Sequence, residues 1–238
     1  MARLAEMAAQ ISDRLSGATA TAGPDAAAPV QVEVIERQSP VSVLVEVAAC
    51  GSQGLVCLPM GVTSGLTVGA HVRHTGGPLR IHVGDELRGR VLDGLGRPVD
   101  GGPSLHDLPL VEVDQQAPPA LSRPRIDHQL GTGVRALDAL VPFGRGQRLG
   151  IMAGSGVGKS TLLSMVARGT DAEVSVIALV GERGREVREF LENDLGPAGL
   201  ARSVVVVSTS DAPPVERLRA AFVATRIAEH FRDAGRHV

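Results

Sequence analysis

Apolar and polar positions change their rhythm along this chain, and each change marks a different kind of element. From Val30 to about Pro103 the rhythm is two: QVEVIE (31–36), VSVLVEV (41–47) and GLVCLPM (54–60) are short runs separated by Gly-rich breaks. Closely spaced short strands with such breaks predict a small β-barrel or sandwich. The stretch GRVLDGLGRPVDG (89–101) reads as a strand, a tight Asp-Gly turn and a return. Residues 104–126 hold Pro109, Pro118, Pro119 and Pro124 together with Gln115-Gln116, which predicts a linker.

Beyond residue 127 the texture becomes α/β. Gln147–Met152 is a strand candidate, followed by a Gly-rich turn and a helix from about Gly158 to Arg168. VSVIALV (174–180) is a nearly continuous apolar run, the pattern of a strand buried on both faces. A helix from Gly184 to Leu195 follows, with Val187, Phe190, Leu191 and Leu195 on one face, and SVVVV (203–207) is a further buried strand. Asp211, read as a cap, with Pro213 and Pro214 opens a last helix through Arg232. Strands and helices in alternation imply a parallel sheet. The expected organisation is therefore a tail (1–29), a β-barrel domain (30–103), a linker (104–126) and a truncated P-loop α/β domain (127–238). In the tail Leu4, Met7, Ile11 and Leu15 fall at helical spacing before a Gly/Ala/Thr/Pro run. A short helix there could dock on a partner or a membrane surface, or simply fray.

Composition narrows the class. The 238 residues are 43% hydrophobic, enough for a real core, and every apolar run is interrupted well short of a membrane span. The first fifteen residues lack the features of a secretion signal. Cys50 and Cys57 have no CxxC spacing, which fits neither a disulfide scaffold nor a zinc site. A net charge of -2 supplies no basic field for nucleic acid. His71 and His74 sit three apart on a predicted strand, on opposite sides, and read as solvent histidines.

One residue stands out from this background. Of 24 basic side chains 23 are arginine, and the single lysine is Lys159. A narrow loop that must place a point charge accepts a compact ammonium and not a broad planar fork. Lys159 lies in AGSGVGKST (153–161), between a predicted strand and a predicted helix, the context of a phosphate-binding P-loop. Gly154, Gly156 and Gly158 free the backbone to wrap, so that N–H groups of 154–161, including those of Ser155, Val157 and Thr161, point at phosphate oxygens. Lys159 would reach the β/γ-phosphates, and the Ser160 hydroxyl would ligate Mg²⁺. Ala153 stands where the strict pattern has Gly. GERGREVREF (181–190) begins where the VSVIALV strand stops, on the rim where open parallel sheets gather ligands. Glu182 could orient a water there and Arg183 could meet developing charge; a solvated loop acid is the competing reading of Glu182. Arg185 and Arg188 read as helix-surface charges or contacts to a neighbouring subunit.

At this point the motifs form a recognisable series. GRVLDGLGRPVDG (89–101), GTGVRALDAL (131–140), GRGQRLGIMAGSGVGKSTLL (144–163), VIALVGERGREVREFLENDLG (176–196), LARSVVVVSTSD (200–211) and RAAFVATRIAEHFRDAGRHV (219–238) resemble, in order, the ATPases of type III protein export. The flagellar export ATPase is the nearest likeness and the injectisome ATPase the next, both relatives of the F-type ATP synthase β subunit. The resemblance implies a small N-terminal β-barrel followed by a RecA-like P-loop core, with ATP held by Gly154 to Thr161 and Mg²⁺ on Ser160. It also implies catalysis by Lys159 and Glu182, with Arg183 on the γ-phosphate. A homo-hexameric ring is further implied, in the cytoplasm and peripheral to the inner membrane at the export apparatus. Its partners would be a regulatory stator protein near the N-terminus and export substrates with their chaperones, and no nucleic acid. The likeness covers about the first half of such a protein. The Walker B aspartate, the arginine from a neighbouring subunit and the adenine-packing residues lie outside it, so the 238-residue chain alone is expected to hydrolyse ATP near background. Two other readings stand beside this one. A nucleic-acid translocase on the same core would need aromatic stacking platforms, and residues 30–103 contain no Phe, Tyr or Trp. A non-catalytic assembly subunit would not need Lys159, Ser160 and Glu182.

Overall fold

The computed structural model describes residues 31–35, 42–51, 54–67, 69–154 and 156–238. The predicted tail helix and Ser155 lie outside the described residues. Four strands open the fold: β1 (Gln31–Ile35), β2 (Ser42–Gly51), β3 (Gly54–Pro59) and β4 (His71–His74). They form an antiparallel sheet in the order β3-β2-β1-β4, with a bulge between Val47 and Ala49 of β2. Alternation puts Val32, Val43 and Val45 inside, where Val34, Val47, Leu66 and Val72 cover them. This is the predicted N-terminal β unit; no pairing among the described residues closes β3 onto β4. His71 and His74 are exposed on β4, and no cluster of His, Cys, Asp and Glu among the described residues could hold a metal.

The next segments depart from the expected boundaries. β5 (Arg80–His82) pairs with β7 (Leu110–Glu112), which lies inside the stretch predicted as linker. Leu105 and Val113 of that stretch are 4% and 3% exposed in the main core. Prolines there break the helical and strand rhythms but do not prevent burial of the apolar residues between them. β6 (Val91–Asp93), predicted as part of the barrel, is an edge of the parallel sheet, ordered β10-β11-β6 with β10 (Ser175–Val180) and β11 (Ser203–Ser208). Its turn forms as expected: the Asp93 N–H donates to the Arg97 carbonyl, and the Asp93 carboxylate accepts the N–H of Leu95 and Arg97.

The remaining chain wraps this sheet. β8 (Gln129–Leu130) and β9 (Phe143–Gly144) pair around α1 (Arg135–Leu140). α2 (Lys159–Gly169), α3 (Gly184–Glu189, continued by a π turn, Phe190–Leu195), α4 (Gly196–Ala201) and α5 (Pro214–Asp233) follow. α5 opens on Pro213 as N-cap with no side-chain cap, so Asp211 does not play the capping role expected of it. Successive β11 side chains face opposite sides and fill two cores. Val204 and Val206 meet Ala220, Val223, Ile227 and Phe231 of α5 together with Leu79, Ile81, Leu87 and Leu92 of the N-terminal half. Val205 meets Ala167 of α2 and Val187, Phe190 and Leu195 of α3 on the other face. The N-terminal half and the α/β half thus share one core. Each fully buried Val contributes roughly 1.5–3 kcal/mol relative to exposure, so β11 alone anchors both layers.

β10 is an edge strand, and its burial is one-sided at the end nearest the glycine loop: Leu179 is 7% exposed and Val180 is 40%. The predicted two-sided burial does not extend there. Gln147–Met152 does not form the predicted strand either. Its apolar residues find no ladder partner among the described residues and stay open, Leu149 at 44% and Met152 at 95%. An apolar run records an appetite for burial; the ladder needs a neighbour as well.

Candidate functional site

The glycine loop runs directly into α2. Gly158 caps that helix with φ of 96°, and Gly156 has φ of 77°, left-handed values that a side chain would resist. A Cβ built at Gly154, Gly156 or Gly158 meets nothing within 4 Å, so the loop faces open space. The far end of α2 is fixed by packing. A Cβ on Gly133, whose φ is +74°, would lie 2.7 Å from the backbone of Gly169. Asp138 holds that turn, accepting the Thr132 N–H at 2.9 Å, its hydroxyl at 2.7 Å and the Gly133 N–H at 3.1 Å. Those bonds, Thr132 first, keep the Asp138 carboxyl below its ordinary pKa. The motif GTGVRALDAL therefore sets where the P-loop helix ends.

Lys159 and Ser160, the first two residues of α2, line a cavity of about 540 Å³. Leu149, Ile151 and Leu163 flank them, and Leu179, Val180 and Glu182 form the opposing side. Glu182 thus shares one space with the lysine, as the sequence predicts. Its loop is tied to the loop after β11: the Gly181 N–H donates to the Ser208 carbonyl at 2.8 Å, and the Ser210 N–H donates to the Glu182 carbonyl at 3.0 Å. Gly181 has φ of +77°, which turns the chain out of β10 into this arrangement. Gly154, Gly156, Val157, Gly158 and Thr161 do not line the cavity. Arg183 does not line it either: its side chain is 74% exposed and pairs with Glu186 at 3.0 Å.

Glu186 is the residue that sequence reading missed. It lines the cavity, and its carboxyl is held below the usual range by the adjoining Glu182 side chain first and by the Arg183 guanidinium after that. The signal was present, because a residue four positions beyond Glu182 at the start of a helix returns to the same side. Glu189 and Asp194 line the cavity as well, so four carboxylates share it with one lysine. A polyphosphate entering such a space requires a cation, and hydroxyl and carboxylate oxygens are hard donors suited to Mg²⁺. Ser160 is the described hydroxyl beside Lys159 that could bind it.

Comparison with known proteins fits this geometry. Residues 133–238 match the model of the ATP synthase alpha/beta family, nucleotide-binding domain. That stretch is similar to the nucleotide-binding domain of that family. The matched stretch includes the glycine loop, Lys159, Glu182, β10 and β11. The chain is 49% identical over 201 residues to the flagellum-specific ATP synthase of Bacillus subtilis, covering 84% of this chain and 46% of that protein. It is 48% identical over 206 residues to the type 3 secretion system ATPase of Xanthomonas euvesicatoria, covering 87% and 47%. The assembled ATPase EscN of enteropathogenic E. coli superposes with a TM-score of 0.79 at 44% identity, covering 90% of this chain and 51% of EscN. The chain spans about half the length of the relatives it matches. The resemblance read from the motif series is thereby shown, with the chain aligned to the N-terminal part of these ATPases.

Proposed function

We propose that this chain carries the ATP-binding and hydrolysing half-site of a protein-export ATPase, flagellar or injectisome. The observation that carries this reading is the shared cavity: the lone lysine, the following serine and Glu182 meet at one rim of a parallel sheet. In this reading the 154–161 backbone cradles the phosphates and Lys159 neutralises charge on the β- and γ-phosphates. Mg²⁺, when bound, would sit on Ser160 and offset the surrounding carboxylates. Glu182 orients a water toward the γ-phosphorus; the new P–O bond forms as the bond to the bridging oxygen breaks, and the water's proton passes to the Glu182 carboxylate or to phosphate. Arg183 meets the γ-phosphate only after leaving Glu186. The family likeness further supports a homo-hexamer in the cytoplasm, held peripherally at the inner membrane. It also supports ATP turnover coupled to export substrates and chaperones, with a regulatory stator protein as partner and peripheral membrane contact through the tail. EscN has been solved assembled and with its central stalk EscO, which is the support for oligomers and a stalk-type partner here.

The test is ATP binding, read by fluorescence of a labelled ATP analogue with Mg²⁺. Lys159→Ala should weaken binding by about a hundredfold, the scale of a lost charge-assisted phosphate contact of roughly 3 kcal/mol. Glu182→Gln should leave binding within about threefold, because its role lies in the chemical step. Equal affinity of the wild type and Lys159→Ala would overturn the reading.

A further inference from the structure

Away from the nucleotide cavity, an open groove of about 870 Å³ lies between the 113–126 segment, the turn at 145–148 and one face of α5. Its charge is one-sided. Arg123, Arg125, Arg145, Arg148, Arg226 and Arg232 all line it, against the single carboxylate of Glu229. The chain as a whole carries -2, so this is a local concentration and not a general basic surface.

Several of these guanidinium groups are partly engaged. Arg123 donates to the Pro118 carbonyl, Arg226 to the Glu112 carbonyl, and Arg232 pairs with Asp233 at 2.7 Å. The Arg145–Asp171 contact, at 3.7 Å, is long. Arg125 and Arg148 are exposed and make no hydrogen bond or ion pair among the described residues. The β8–β9 ladder joins the segments that lead from Arg125 and into Arg148, with the Arg145 N–H donating to the His128 carbonyl at 2.9 Å. The groove also has an apolar wall: Phe222 is 45% exposed and Ile126 is 53% exposed.

We propose that this groove docks an acidic, partly apolar segment of a partner protein. Planar forks pair with carboxylates in two-point fashion, and positive groups spread over three elements fit an extended chain better than a single anion. Phe222 and Ile126 give apolar side chains between the carboxylates a surface to cover. A nucleic-acid strand would want several stacking platforms, and Phe222 is the groove's single aromatic residue.

The probe is a fluorescein-labelled ten-residue peptide alternating Glu and Leu, with a Gln-Leu counterpart and a ten-nucleotide oligothymidine as comparisons. The measurement is fluorescence polarisation on the full chain. The Glu-Leu peptide should bind at least about tenfold more tightly than the Gln-Leu peptide, and more weakly as salt rises. The double variant Arg125→Gln/Arg148→Gln should lose at least fivefold; these exposed, unpartnered side chains can change without disturbing the fold, and far-UV circular dichroism checks that. Phe222→Ala should reduce affinity for the Glu-Leu peptide further. Equal binding of both peptides, no loss in the double variant, or tighter binding of oligothymidine than of the Glu-Leu peptide would each overturn the proposal.

Discussion

Arg219 sits on α5 with its side chain 5% exposed, between Glu46 of β2 at 2.7 Å and Asp114 at 2.8 Å. Burial opposes its charge, yet the Glu46 hydrogen bond and the nearby Asp114 outweigh this and leave its pKa raised. It also lies over the Phe222 ring at 5.6 Å. This cluster ties the antiparallel sheet to the helix that covers the parallel sheet, and it holds few alternatives: Asp114 Oδ2 is already buried without a hydrogen-bond partner. Arg219→Met would leave two carboxylates in a poorly hydrated gap. Losing one member of a buried pair costs about 3–5 kcal/mol. Glu46 and Asp114 are 13% and 22% exposed, which lets some water in and points to the lower end. For a chain of this length the midpoint of thermal unfolding should fall by roughly 6–15 °C. The triple change Arg219→Met, Glu46→Leu, Asp114→Leu removes the charges together and should recover most of the loss. Thermal melts followed by circular dichroism at pH 7 decide the matter. A loss under about 1 kcal/mol for Arg219→Met, or a triple variant less stable than the single one, would refute the reasoning.

Other consequences follow from single sites. Arg90 and Asp100 form a two-point pair at 2.8 Å, and Asp100 also accepts the N–H of Val91 and Gly102. The Arg90 bonds, against burial, hold the Asp100 carboxyl far below the ordinary range. A depressed carboxylate stabilises the fold above its unfolded pKa of about 3.9 and loses that contribution as pH falls below it. Asp100→Asn should therefore cost about 2–3 kcal/mol at pH 7, and urea melts should show the gap narrowing steadily below about pH 4. Gly133→Ala should destabilise by roughly 2–4 kcal/mol, from the left-handed backbone and the 2.7 Å approach to Gly169, and should weaken ATP-analogue binding by loosening α2. Phe231 is fully buried between the layers, and Phe231→Ala should cost about 3–5 kcal/mol in the same melts.

The parts legible in the sequence were those whose local signal and tertiary role coincide. β11 needs apolar residues on both faces, so SVVVV announces itself; α3 needs one apolar stripe, and Val187, Phe190 and Leu195 supply it. The glycine spacing around Lys159 carries its own chemistry. What stayed hidden depends on partners far along the chain. Nothing in Val91–Asp93 says that three residues beside a turn will lie parallel to β11, 112 residues from Val91 at its start (Ser203). Leu149 and Ile151 have the composition of a strand, but pairing depends on an edge that they do not find among the described residues. Arg183 was legible as a cation on the right loop, whereas its direction is set by Glu186 three residues on.

The nucleotide site is tested most directly by backbone amide chemical shifts during titration with Mg²⁺ and a non-hydrolysable ATP analogue. If the glycine loop and Glu182 hold the triphosphate, the shifting amides will be those of Gly154, Gly156, Gly158, Lys159 and Ser160, with Glu182 following. Shifts confined to the arginine groove of α5, or none in the glycine loop at saturating analogue, would contradict that assignment.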